Sequence, residues 1–244
     1  MSKFCTLFSV CVAVATQAYA QVLLADNFND GSINGSLWTS TLPYFDSTVT
    51  QSGGALTSTN RGILISTGQF TGALEINTRV SLSGFGSALD LMWKSDGQGL
   101  TNMGTTAAGF FVSFLGGGGT GSLATGIKNV TANVNGQNWI SMAVPLDTWV
   151  DVRVVDTGSS ISVYLNGAVT PTASVGYTAA DTTAIGSNGY LQFYSRENFG
   201  GPYSASMDYI TVTAIPEPST YAAIFGACAL GLVAYRRHRL KKAA

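Results

Sequence analysis

Short runs of alternating apolar and polar residues dominate the chain between residues 21 and 214. Residues 150–155 and 161–166 each alternate with a period close to two, which is the pattern of a half-buried β-strand. A tight-turn sequence at 156–159 separates them, and Asn166-Gly167 is a second turn of the type that accepts positive φ. Three antiparallel strands are predicted here.

Further runs of the same kind are separated by turns of Gly, Asn and Ser, and we find no internal repeat and no convincing helical stretch among them. A dozen or so strands at this spacing favour a two-sheet sandwich over a propeller, which would show repeated blades. Residues 116–121 are glycine-rich and are predicted to form a loop, not a phosphate-binding site, because no Lys-Ser/Thr follows them. The further predicted strands are 72–83, 88–94, 108–115, 139–144, 189–195 and 206–213.

The first 20 residues have the pattern of a signal peptide. Lys3 precedes an apolar stretch from Phe4 to Ala15, and Ala18-Tyr19-Ala20 fits the small-x-small rule of signal peptidase. The chain is therefore predicted to pass through the Sec translocon and to begin at Gln21 once signal peptidase has cut it. Residues 21–214 then remain as one exported domain of ordinary size.

The C-terminal end has the pattern of a membrane anchor. Residues 219–235 contain no charged side chain, and this length reaches the lower limit for a transmembrane helix, roughly 17 residues. Basic residues follow in the tail 236–242, and basic residues are retained on the cytoplasmic side during insertion. The preceding domain is therefore predicted to lie outside. The basic residues of the tail are Arg236, Arg237, Arg239, Lys241 and Lys242.

Pro216, Glu217 and Pro218 stand directly before the anchor. Proline fixes φ and disfavours helix, so these residues would present an extended backbone just above the membrane. The order of Pro-Glu-Pro, apolar segment and basic tail over residues 215–244 resembles the PEP-CTERM sorting signal of Gram-negative, polysaccharide-producing bacteria. The resemblance implies that an exosortase, a membrane transpeptidase, recognises Pro-Glu-Pro and cuts nearby. An inner-membrane-anchored intermediate would then reach the cell surface or extracellular matrix. A plain tail anchor is the alternative.

Cysteine and charge are distributed unevenly along the chain. Cys5, Cys11 and Cys228 all lie in the terminal segments, so the exported domain has no disulfide and no thiolate metal site. All thirteen acidic residues fall between Asp26 and Glu217 together with only six basic ones, which leaves a net charge of −7. Such a domain is not expected to bind nucleic acid or anionic lipid, because both would be repelled.

Four pieces of the domain occur in an order found in concanavalin A-like and laminin G-like jelly rolls. They are residues 26–31 with Trp38 downstream, 149–154 followed by 161–167, 189–193 and 207–212. The domain resembles these families, which implies a jelly roll whose first and last strands pair. The predicted fold class is an all-β, two-sheet antiparallel jelly-roll sandwich followed by a single C-terminal transmembrane helix.

Candidate catalytic residues are few. His238, in the basic tail, is the only histidine, so serine, cysteine and zinc hydrolase mechanisms are not expected. Glycosidases need only two carboxylates, and jelly-roll glucanases carry them on one strand as Glu-x-Asp-x-x-Glu, a pattern that this sequence lacks. Glu75 is expected to pair with Arg79, and Glu197 to lie in a loop. The domain is therefore predicted not to be an enzyme.

Two sets of residues are candidates for binding. Phe199 and Tyr203 flank a Gly-Gly-Pro sequence between predicted strands and could present aromatic faces to a sugar. Calcium is the second possible ligand, because Asp and Asn supply hard oxygen donors near the two ends of the domain. The alternative is that these side chains form turns and cap strand ends. The candidate calcium ligands are Asp26, Asn27, Asn29, Asp30 and Asp208.

These observations together predict an exported, non-catalytic, lectin-like protein of the cell surface or extracellular matrix that binds exopolysaccharide or other surface glycans. Two alternatives stay open. One is a glycoside hydrolase-like enzyme on the same fold, with a carboxylate pair that does not follow the known motif. The other is a purely structural surface protein.

Overall fold

The protein was analysed as a computed structural model, which describes residues 20–41, 47–83, 87–96, 109–116, 122–128, 135–141, 146–186, 188–197, 204–216 and 226–236. The chain divides into two compact units. One unit is residues 22–213, and the other combines residues 1–21 with residues 214–244.

Residues 22–213 form two antiparallel β-sheets. The first sheet has eight strands in the order β13 (Ala173–Gly176), β12 (Ser160–Leu165), β11 (Val150–Asp156), β6 (Leu74–Ser83), β15 (Ser204–Ala214), β4 (Ala55–Thr59) and β3 (Thr48–Ser52), with β1 (Val22–Asp26) also paired to β15. The second sheet has seven strands in the order β10 (Asn135–Ser141), β9 (Ser122–Lys128), β8 (Gly109–Leu115), β7 (Ser87–Ser95), β14 (Asn188–Glu197), β5 (Ile63–Thr71) and β2 (Trp38–Thr41).

One hydrophobic core joins the two sheets. Along β6 and β11 every second side chain is buried while its neighbours are partly or fully exposed, as expected for strands with one solvated face. Strand β7 differs, because all nine of its residues are buried. Core residues on these and the adjoining strands include Leu74, Ile76, Val80, Leu89, Leu91, Trp93, Val150, Val152, Val154, Leu191 and Phe193.

The structure confirms the all-β sandwich and several of its details. Strand β1 pairs with β15 through Val22 opposite Thr213 and Asp26 opposite Ile210, so the first and last strands meet as predicted. The turn between β11 and β12 contains Gly158 at a φ of 88°. The next turn has positive φ at both Asn166 and Gly167, as its sequence indicates.

Two parts of the secondary structure were not predicted. Strands β2 to β5 lie in a stretch rich in Ser and Thr, where polar residues hide the alternation, and β9 is equally inconspicuous. The expectation of no helix is also wrong, because Ala179–Ile185 is helical. A capping box explains this helix: Thr178 accepts from the backbone of Asp181, whose side chain accepts in return from the backbone of Thr178.

Residues 226–236, in the unit that combines the two ends of the chain, form a helix. In the part of the chain that the structure describes, no helix is both long and apolar enough to cross a bilayer. The predicted transmembrane segment 219–235 extends beyond the described residues at its N-terminal end. A transmembrane helix at the C-terminus therefore stays a prediction.

Candidate active site on the second sheet

The outer face of the second sheet, turned away from the core, carries a compact set of buried side chains. Ile63, Met92, Phe111 and Tyr194 form a hydrophobic cluster separate from the main core, and Ile65 packs against it. Strand pairing places four further residues beside this cluster, namely Asp90, Ser95, Ser113 and Gln192. We name the whole set the floor; its members are Ile63, Ile65, Asp90, Met92, Ser95, Phe111, Ser113, Gln192 and Tyr194.

Asp90 lies at the centre of the floor. It is opposite Ser113 of β8 on one side and Tyr194 of β14 on the other, and only 3% of its surface is exposed. Burying a carboxylate is costly unless it is hydrogen-bonded or paired. The other acidic residue in the strands of this sheet is Glu197, which is opposite Ser87 and not next to Asp90.

A β-bulge in β7 shapes one end of the floor. Gln192 is opposite Met92 but Tyr190 is opposite Ser95, so β7 contains one extra residue between these pairs. Lys94 adopts a φ of 49° there. The neighbouring strand contacts the bulge closely, since a Cβ on Gly189 would lie 2.4 Å from the carbonyl carbon of Lys94.

The bulge turns two consecutive side chains toward the core and the next one outward. Trp93 Nε1 donates to Asp156 Oδ2 at 3.0 Å, and Lys94 Nζ forms an ion pair with the same oxygen at 2.9 Å. Ser95 instead accepts a hydrogen bond from the side-chain amide of Gln192 on the floor. The outer face of β7 therefore presents Asp90, Met92 and Ser95.

Beneath the floor, Trp93, Lys94, Asp156 and Tyr177 form a buried polar cluster between the sheets. The hydroxyl of Tyr177 and the backbone N–H of Gly158 both donate to Asp156 Oδ1. Burial raises the pKa of Tyr177 and the hydrogen bond to Asp156 raises it further, so the phenol stays a donor. The cluster ties the bulge of β7 to the end of β11.

The candidate calcium ligands have separate partners. Asp26 accepts from Trp38 Nε1 at 2.7 Å and from the backbone of Phe28, Asp30 accepts from Gln51, and Asp208 lies 3.4 Å from Arg79. Asn27 and Asn29 form a turn, in which the side chain of Asn27 accepts from the backbone of Asn29. Among the described residues, no group of three or more His, Cys, Asp or Glu side chains could hold a metal ion. Calcium binding stays a prediction.

The other predicted sites fall mostly outside the described residues. Phe199 and Tyr203 lie outside them, as do Glu217 and Pro218, whereas Pro216 is the last described residue before the C-terminal helix. Of the basic tail, Arg236 is described and exposed, and Arg237, Arg239, Lys241 and Lys242 are not described.

The expected Glu75–Arg79 pair does not form. Glu75 pairs with Arg153 at 3.0 Å, and Arg79 pairs with Asp151 and Asp208, because β11 lies beside β6 and brings its own charges to this face. Partial burial pushes the pKa of Glu75 up, but hydrogen bonds from Arg153 and Asn77 outweigh it and hold this pKa below its usual value. Glu197, expected in a loop, is the last residue of β14.

No protein-family profile matches the sequence, and no curated protein matches it. Solved structures do match. The endo-β-1,3-glucanase from Pyrococcus furiosus superposes with a TM-score of 0.60 at 14% identity, covering 80% of this chain and 94% of that chain. The β-glucanase of Bacillus licheniformis gives 0.57 at 13%, covering 78% and 96%. An immunostimulatory antigen and pseudo-β-1,3-glucanase of Mycobacterium tuberculosis gives 0.57 at 14%, covering 79% and 98%.

The domain has the fold of the endo-β-glucanases. This likeness overturns the prediction of a non-catalytic, lectin-like module that is not an enzyme. The match covers nearly the whole length of the glucanase chains. It favours the glycoside hydrolase alternative instead. The prediction failed because it took the absence of the Glu-x-Asp-x-x-Glu motif as evidence against a glucanase-type domain. The fold depends instead on the pattern of buried apolar residues, which chains without that motif can share.

The floor was missed for a related reason. Asp90, Met92 and Ser95 have the same spacing as the three acids of Glu-x-Asp-x-x-Glu, and the bulge brings all three positions to one face. Here only the first of them is acidic. A single signal could have identified the site: Asp90 interrupts the apolar run 88–93, where a charged side chain needs a reason to be buried.

Proposed function

We propose that residues 22–213 form a glucanase-type domain that binds a β-linked glucan on the floor of the second sheet and cleaves it with Asp90 as a catalytic carboxylate. One observation carries the proposal. The carboxylate of Asp90 lies at the centre of the outer face, on the central strand of the second sheet, in a fold shared with endo-β-glucanases.

The floor has the composition of a sugar site. Phe111, Met92, Ile63 and the ring of Tyr194 are its apolar members, and a few polar groups lie among them. Ligand sites of this kind combine a mostly apolar lining with a small number of placed polar groups. A glucan chain has apolar ring faces and hydroxyl edges, so both parts of this surface would be used.

Asp90 can take either of two roles at a glycosidic bond. A carboxylic acid protonates the leaving oxygen, and a carboxylate attacks the anomeric carbon or activates a water molecule. Hydrolysis by this chemistry needs a second carboxylate. Asp96, exposed and directly after β7, is the candidate for it.

The proposal predicts a substrate preference. Purified full-length protein should release reducing ends from a β-1,3-glucan and from a mixed-linkage β-1,3-1,4-glucan, but not from the α-linked glucan starch. A reducing-sugar assay over several hours measures this. If no β-glucan yields reducing ends at any protein concentration, the proposal is wrong.

We infer that residues 215–244 are a sorting signal of the PEP-CTERM type. Support comes from the order of Pro216-Glu217-Pro218, the uncharged segment 219–235 and the basic tail 236–242, together with the signal peptide pattern at 1–20. In this proposal the domain is exported across the inner membrane of a Gram-negative bacterium, released by an exosortase and delivered to the cell surface or matrix. A polysaccharide-acting domain suits that location.

The sorting proposal predicts the C-terminus of the mature protein. Mass spectrometry of the protein isolated from its native surface should find a chain that ends near Pro218, because the transpeptidase is expected to cut beside the Pro-Glu-Pro motif. Material that ends at Ala244 and can be extracted only with detergent would instead indicate a permanent anchor.

A further inference from the structure

Gln192 on β14 carries a buried amide that the protein does not fully use. The side chain belongs to the floor, lies between Met92 and Ile65 on the neighbouring strands, and has no exposed surface. Its Nε2 donates to Ser95 Oγ at 2.5 Å. Its Oε1 has no hydrogen-bond partner among the described residues.

The surrounding structure holds this amide against Ser95. Ser95 reaches the floor only because the bulge at Trp93 and Lys94 turns it outward, and the buried cluster around Asp156 holds the bulge from below. Bulges beside active sites commonly redirect a side chain in this way. Because Ser95 pairs with the amide nitrogen, the side-chain oxygen Oε1 is left without a hydrogen-bond partner among the described residues.

A glucan supplies the group that this oxygen lacks. An unpaired buried carbonyl has lost its water without gaining a protein donor, so it binds a ligand donor more favourably than an exposed amide does. Sugar hydroxyls are donors at close spacing along the chain. Gln192 is also near Asp90, since Tyr194, opposite Asp90, is only two residues further along β14.

We propose that Gln192 Oε1 accepts a hydrogen bond from a hydroxyl group of the sugar unit bound next to the one at Asp90, which makes Gln192 a substrate-binding residue. This rests on the proposed function. The interaction is present in the bound substrate and in the transition state alike, so its loss raises KM and leaves kcat nearly unchanged.

Calorimetric titration with a β-1,3-linked glucose hexamer tests the proposal in full-length Asp90→Asn protein, which holds the ligand uncleaved. Adding Gln192→Met should raise Kd about tenfold, as expected for one lost hydrogen bond to a buried acceptor. In protein with Asp90 intact, the same change should raise KM about tenfold and alter kcat less than about threefold. The matched control is Gln69→Met, which alters an exposed glutamine of β5 paired with Asn188 and should leave Kd unchanged.

Ser95→Ala provides a second variant if Gln192→Met folds poorly. It removes the group that orients the amide and should raise Kd by a smaller factor, about threefold. Suppose that the hexamer binds and that both variants keep the original Kd while their unfolding temperature falls. Gln192 then has only a structural role, and this inference is wrong although the proposed function stands. If neither the unaltered protein nor Asp90→Asn binds the hexamer, both are wrong.

Discussion

Replacing Asp90 with Asn is expected to lower the rate of reducing-sugar release from β-1,3-glucan by about 10²- to 10⁴-fold, the range typical for removal of a catalytic acid or base. Asn has nearly the same shape as Asp, so the floor should keep its packing. The amide can neither donate a proton to the leaving oxygen nor act as a nucleophile. The initial rate at saturating glucan measures the effect.

Two companion variants make this result interpretable. Asp147→Asn changes an exposed acid in a left-handed turn, a conformation that Asn tolerates well, and should leave the rate unchanged. Asp96→Asn tests the candidate for the second carboxylate and should show a loss of similar size if Asp96 supplies it. A rate for Asp90→Asn within about twofold of the original protein, with glucan cleavage intact, would exclude Asp90 from the chemistry.

Replacing Lys94 with Met is expected to lower the free energy of unfolding by about 3–5 kcal/mol, because it leaves the buried carboxylate of Asp156 without its cation. The side chains of Lys94 and Asp156 are only 4% and 1% exposed, so water cannot take over the lost interaction. Met keeps most of the apolar stem of Lys. Urea unfolding followed by circular dichroism gives the change in free energy from the midpoint and slope.

An exposed ion pair serves as the control for this prediction. Arg153 and Glu75 lie at a similar distance, 3.0 Å, but their side chains are 46% and 28% exposed. Arg153→Met should therefore cost less than about 1 kcal/mol. The double variant Lys94→Met/Asp156→Asn should recover part of the loss, because it removes the uncompensated charge. Equal losses for Lys94→Met and Arg153→Met would show that the buried cluster has no special role in stability.

Alternation in the sequence was enough to predict one part of the fold. Strands β11 and β12 alternate over most of their length, bury every second residue and have clear turn residues around Gly158 and Asn166, so local pattern and tertiary structure agree there. Strand β3 shows the opposite case, since Thr48–Ser52 has only one buried side chain and lies at the edge of its sheet. Its pairing depends on β4 and not on its own hydrophobicity.

The candidate site was harder to predict, because its members come together only through strand order and the bulge. Asp90, Gln192 and Ile63 are distant in sequence and meet because β14 lies between β7 and β5. Nothing local indicates that β7 contains an extra residue near Trp93, and without it Ser95 would not be expected on the outer face. A motif search tests fixed residue types, whereas the structure shows which positions share a surface.

The most direct test of the central claim measures how the chain length of a soluble β-1,3-glucan changes during incubation with the purified full-length protein. Size-exclusion chromatography monitors this chain length over time. The account predicts that the polymer peak moves steadily to later elution with the unaltered protein and stays in place with Asp90→Asn. A polymer peak that does not move after prolonged incubation with the unaltered protein would contradict it.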